Sequence, residues 1–169
     1  MEFTQSIAEN LSKLSDLQNF GILFPFSQRN LWNISGSNLY FGESLVIETT
    51  WHINLRKESE TTYRGTLFDG PRTFWYENGK IELKKNYHRG LEEGLSIYWV
   101  ENGQKRTEVN YHRGSREGPA TYWYDNCQKD SEGVYKNNTE EGIWYFWDRD
   151  GTPEPDKVYR KGFLIRTKY

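Results

Sequence analysis

The tryptophans of this chain fall in a register that few folds can accommodate. Trp51, Trp75, Trp99, Trp123 and Trp147 stand 24 residues apart, and these are five of the seven tryptophans in the 169-residue chain, so chance does not explain the column. Tyr63, Tyr87, Tyr111, Tyr135 and Tyr159 repeat at the same period. Gly70, Gly94, Gly118 and Gly142 do likewise, as do Phe74, Tyr98, Tyr122 and Phe146, and Asn78, Asn102 and Asn126. A period of this length marks a repeat architecture, in which each supersecondary unit packs mainly on its neighbours. The register reaches back through Trp51 and Asn54, with Gly42 aligned to Gly90, so a degenerate first unit begins near Leu39.

Each unit reads as a β-hairpin. The run GPRTFWYENGKIELKKNY places Asn-Gly between an aromatic run and an alternating run. That pattern predicts a type I′ turn, which needs positive φ at both central residues. The segments HRGLEEG and HRGSREG then return the chain through glycine-rich turns. Stacked hairpins give an all-β fold, an elongated single sheet. Neighbours such as Phe74 and Trp75 must point to opposite faces, so the Phe/Tyr and Trp columns line opposite sides. From Tyr63 onward 20 aromatics outnumber 13 Leu, Ile and Val, which suits a thin sheet held by ring contacts better than an aliphatic two-layer core.

The spacing Y-x-x-G-x-x-x-G followed by W-x-x-N-G, as in YHRGLEEG and WVENG, resembles the MORN (membrane occupation and recognition nexus) repeat. The likeness is strong over residues 63–162 and weaker over 39–62. More narrowly, with N-G-K/Q after the aromatic run, it resembles a bacterial variant often found in proteins described as antitoxins or immunity proteins. The resemblance implies a hairpin array and a binding role, while a fold by itself does not fix function.

The expected organisation has three parts. Residues 1–38 form an N-terminal cap, with a helix over about 6–18 and an apolar segment after it. Ser6 and Glu9 fit a capping box, Ile7, Leu11 and Leu14 lie near one helical face, and Gly21 ends the helix. Residues 39–162 hold five tandem hairpin repeats, and 163–169 form a closing strand. Open sheet ends offer a route to a homodimer. The net charge of −2 gives no global attraction to nucleic acid or anionic membrane. One cysteine, no signal sequence and no long apolar run point to the cytoplasm.

Candidate chemistry is sparse. Cys127 with His112 invites comparison with a nucleophile and its base. In the repeat register, though, Cys127 takes the place of turn glycines Gly79 and Gly103, at the far end of the hairpin from His112. A left-handed Cys costs about 1–2 kcal/mol there. His88 and His112 share a slot with Arg64, Lys136 and Arg160, so the slot asks for a basic residue, and one hairpin separates equivalent positions by about 9.5 Å, too far for a shared zinc. Acid pairs such as Glu92–Glu93 and Glu140–Glu141 read as solvated turn residues. No phosphate loop or nucleophile elbow is present, so neither catalysis nor a cofactor is expected.

What remains is binding. The aromatic columns offer sheet core, a stacking platform or interface anchors. The basic column and its neighbours Arg89, Arg113 and Lys161 form a charged edge, partly neutralised by Glu92, Glu93, Glu117, Glu140 and Glu141. The expected role is a non-enzymatic module that holds another protein, which the resemblance narrows to an antitoxin or immunity protein occluding a toxin. The expected contacts are Tyr98, Trp99, Tyr122, Trp123, His88, Arg89, His112 and Arg113. The second reading is a membrane-associated adaptor whose basic edge binds anionic phospholipid.

Overall fold

The computed structural model describes residues 45–168, and the expected N-terminal cap and the start of the first repeat lie outside the described residues. Twelve strands run in order: β1 (Leu45–Trp51), β2 (Lys57–Arg64), β3 (Leu67–Trp75), β4 (Ile81–His88), β5 (Leu91–Glu92) and β6 (Gly94–Trp99), then β7 (Lys105–His112), β8 (Ser115–Trp123), β9 (Lys129–Lys136), β10 (Thr139–Trp147), β11 (Pro153–Arg160) and β12 (Phe163–Lys168). They form one open antiparallel sheet in which sequence neighbours are spatial neighbours, the short β5 pairing only with β4. Eleven strands at about 4.8 Å spacing make a ribbon roughly 50 Å long, one hairpin per 24-residue period.

The two ends of the hairpins use different turns. At the asparagine end, Gly79 N–H donates to Tyr76 O and Tyr76 N–H to Lys80 O, closing a three-residue loop. Only Gly79 in that loop has positive φ (86°), as do Gly103 (94°), Cys127 (71°) and Leu55 (65°) at the same position of other repeats. This is a type I turn followed by a left-handed residue, not the type I′ turn that Asn-Gly predicts. The Asn side chain explains the difference: Asn78 Oδ1 accepts from Lys80 N–H at 2.9 Å, holding Asn78 in place as the second turn residue. The type I′ turns are at the other end, where Arg89-Gly90, Arg113-Gly114, Asn137-Asn138 and Lys161-Gly162 all have both φ values between 49° and 84°.

The sheet packs one face on itself. Cross-strand partners share a face, and Tyr87 is paired with Gly70, Tyr111 with Gly94, Tyr135 with Gly118 and Tyr159 with Gly142. Each tyrosine thus stands opposite a residue with no side chain. On this tyrosine face the buried apolar residues are Val109, Ala120, Tyr135 and Trp144, with Tyr111, Tyr122, Phe146 and Tyr159 packed around them. Trp144 stands edge-on to Tyr135 at 5.0 Å between ring centroids, and the ring lies directly over Gly133. Toward the first repeats the chain of rings continues as Tyr63–Phe68–Tyr87, each step 5.1 Å.

Candidate functional site

Three surfaces could carry function: the two edges formed by the turns, and the tryptophan face. At the arginine edge the turn amides are satisfied within the sheet. Asp69 accepts from Arg89 N–H, Glu93 from Arg113 N–H at 2.8 Å, Glu117 from Asn137 N–H at 2.7 Å and Glu141 from Lys161 N–H at 2.8 Å. An acidic column therefore caps the strained turn of the next repeat. Of the acid pairs, Glu92, Glu140 and Glu141 are strand residues and Glu93 stands between β5 and β6; Glu93 and Glu141 accept from turn amides, so they are not free solvated turn residues. Glu92 pairs with Lys85 at 3.1 Å. His88 and His112 face the same acids, at 3.3 Å from Asp69 and 2.9 Å from Glu93. Arg64, His88 and His112 of the basic column thus face members of the acidic column.

The carboxyl shifts follow from these contacts. The Arg64 side chain, bonded at 2.6 Å, and then the Arg89 N–H hold Asp69 below its ordinary 3.8. The Arg113 N–H, followed by His112, holds Glu93 below its ordinary 4.5.

The asparagine edge is a second ladder. Asn54 Nδ2 donates to Glu77 O at 2.8 Å, Asn78 Nδ2 to Glu101 O at 2.9 Å, and Asn126 Nδ2 to Arg149 O. Two residues earlier, His52, Tyr76 and Tyr124 bond the carbonyls of Trp75, Trp99 and Trp147. Val100 breaks that column, and Arg106 Nη1 takes over the Trp123 carbonyl at 2.6 Å. In the last loop Asp148 and Asp150 sit together: a hydrogen bond to Asp150 raises the Asp148 pKa, while Thr152 lowers that of Asp150. Among the described residues no three His, Cys, Asp or Glu side chains gather as a metal site.

Cys127 is exposed, in the loop between β8 and β9, whereas His112 ends β7 at the other end of the hairpin. The nine-residue β8 separates them by roughly 30 Å. They form no dyad.

The eight expected contact residues do not share one surface. Tyr98 and Tyr122 lie on the tyrosine face, Tyr122 against the core and bonded to Tyr135 Oη at 3.2 Å. Trp99 and Trp123 lie half-buried on the opposite face. His88, Arg89, His112 and Arg113 are exposed at the arginine edge. On the tryptophan face a motif that the sequence reading passed over recurs. Lys57 lies 5.2 Å over the ring of Trp75, Lys105 5.9 Å over Trp123, and Lys129 5.0 Å over Trp147. Each lysine is held by a glutamate three residues on: Glu60, Glu108 and Glu132 at 2.7, 2.8 and 2.7 Å. The signal was in the sequence, as K-x-x-E at the repeat period.

A family model for the MORN repeat variant matches residues 68–89, the hairpin of β3 and β4 with its asparagine-end turn. Repeats of this kind are generally binding modules for proteins or membranes. No curated protein matches the chain.

Proposed function

We propose that this chain is a cytoplasmic, non-enzymatic protein-binding module, and more narrowly an antitoxin- or immunity-type protein that occludes a cognate toxin. The observation that carries the reading is the asymmetry of the sheet. Its tyrosine face carries the internal packing, while Leu67, Leu91, Leu95, Val134 and Tyr145 are left between 41% and 51% exposed, Leu95 and Tyr145 on the same face of the strands that carry Trp99 and Trp147. Aromatic and aliphatic side chains on a solvent-facing patch are what interfaces use as anchors. Of the eight expected contacts, Trp99, Trp123, His88, Arg89, His112 and Arg113 keep surface for a partner. The phospholipid reading draws less support, because Asp69 and Glu93 offset charge along the basic column.

The test is co-expression with the product of the adjacent gene. Restored growth and a co-purifying complex support the immunity reading. Continued toxicity with no complex overturns it. A complex without protection keeps the binding module and removes the toxin.

A further inference from the structure

The tryptophan face departs from this pattern in the second hairpin. Where the first, third and fourth carry Lys57, Lys105 and Lys129, it carries Ile81, and where they carry Glu60, Glu108 and Glu132 it carries Lys84; the fifth carries Pro153 and Asp156. Among the described residues no cation lies over Trp99, and Lys84 has no carboxylate paired with it. Ile81 and Trp99 instead line an open depression with Gly79, Lys80, Asn102 and Gly103.

The strand beside the break is apolar on this face. Leu95, Ile97 and Trp99 alternate outward along β6, where β3 and β8 present Pro-Thr-Trp at the same positions. Lys84 is the direct cross-strand partner of Ile97, and on the other flank Ile97 pairs with Glu108, which is already bound to Lys105. The outward stripe on β10, Ile143, Tyr145 and Trp147, differs: Lys129 lies over its tryptophan and Glu132 holds that lysine. The β6 stripe therefore joins open apolar surface to a lysine that no carboxylate among the described residues pairs with. Glu77 and Glu101 lie in the loops beyond the Trp99 end, which puts the best place for an anion level with Lys84 and Ile97.

We propose that Ile81, Lys84, Leu95, Ile97 and Trp99 form the docking site for a partner protein segment that presents an apolar side chain flanked by a carboxylate. The inference rests on the protein-binding reading and deepens it. The apolar side chain covers Ile97 and Trp99. The carboxylate pairs with Lys84, taking the place that glutamate has in the first, third and fourth hairpins. Charge matching of this kind sets partner choice, while the buried apolar anchor holds the complex.

The test is panning a random phage-displayed peptide library against the full chain. Enriched peptides should combine Asp or Glu with Leu, Phe or Trp. Their affinity should fall by at least about tenfold on Lys84→Glu, and likewise on Ile97→Ser. Exchanging the peptide carboxylate for lysine should restore binding to Lys84→Glu, which also shows that this variant is folded. Peptides that bind Lys84→Glu and Ile97→Ser unchanged would overturn the site but leave a protein-binding module. Basic consensus peptides, or no enrichment, would overturn the proposed chemistry, while the co-expression test judges the broader reading independently.

Discussion

Gly133→Ala should be among the most damaging single substitutions in this sheet, although it adds one methyl group to an ordinary strand. Gly133 does not need a left-handed backbone; it needs an absent side chain. A Cβ there would lie 2.2 Å from Trp144 Cδ2, 2.3 Å from Cε2 and 2.5 Å from Cγ, about 1 Å short of ordinary contact. The indole has no easy retreat. It is 3% exposed, it abuts Tyr135, Tyr122 and Phe146, and its Nε1 donates to Val134 O at 3.3 Å. Lifting the ring loosens several of these contacts together. We therefore expect a loss of about 3 kcal/mol, the upper end of ordinary overpacking. Urea denaturation followed by far-UV circular dichroism measures it as a lower midpoint at unchanged slope. The decisive comparison is a double-mutant cycle with Trp144→Leu, itself costing less than the about 3–5 kcal/mol of a truncation to alanine. With the ring gone, Gly133→Ala should become neutral or stabilise by up to about 1 kcal/mol, as alanine does over glycine in a strand. An equal cost in both backgrounds, or a cost below about 0.5 kcal/mol in the native one, would refute the contact as the cause.

Cys127→Gly should raise the melting temperature by relieving a left-handed residue at φ 71°, a gain of about 1 kcal/mol, with partner binding unchanged. Loss of binding in that variant would return Cys127 to the functional residues. Arg106→Ala should orphan the Trp123 carbonyl and cost about 1–2 kcal/mol in urea titrations. Adding Val100→Tyr should recover most of it, because Tyr76 and Tyr124 make the same bond in their repeats; no recovery would refute the exchange. Asp69 and Glu93 have folded pKa values below 3.8 and 4.5, so the unfolded chain takes up their protons first as pH falls. Their stabilisation is complete above those ordinary values and disappears as pH drops through the folded ones. Melting temperature should therefore fall more steeply below about pH 4.5 in the native protein than in Glu93→Gln. Parallel curves would show that the pairing contributes nothing.

The hairpin array was legible because a tandem repeat states its packing several times over. A residue found once can have many reasons, but Trp75, Trp99, Trp123 and Trp147 must share one. The opposition of Tyr98 to Trp99 and of Tyr122 to Trp123 followed from strand alternation alone. Which of those faces packs inward was harder to see, since it depends on glycines such as Gly70 lying opposite tyrosines such as Tyr87, a pairing visible only with the register known. Turn type failed for a related reason. Asn-Gly suits both a type I′ turn and a type I turn with a left-handed third residue, and the choice falls to the Asn78 side chain and its bond to the next hairpin. The acids misled because the turn amide that Glu93 caps is 20 residues away.

Where the repeats agree, internal packing suffices as an explanation, so the departures are more informative about function than the consensus. Gly133 and Trp144 depart together, and each answers the other inside the sheet: the small residue makes room for the large one. Val100 and Arg106 depart together, and the guanidinium replaces the hydroxyl that valine lacks. Ile81 and Lys84 also depart together, exchanging the cation over a tryptophan for an aliphatic side chain and a carboxylate for an ammonium. Nothing among the described residues answers that pair. A compensation that two exchanges complete within the fold is left open in the third, on the face that the core does not use, and that is why its missing half is sought on another chain.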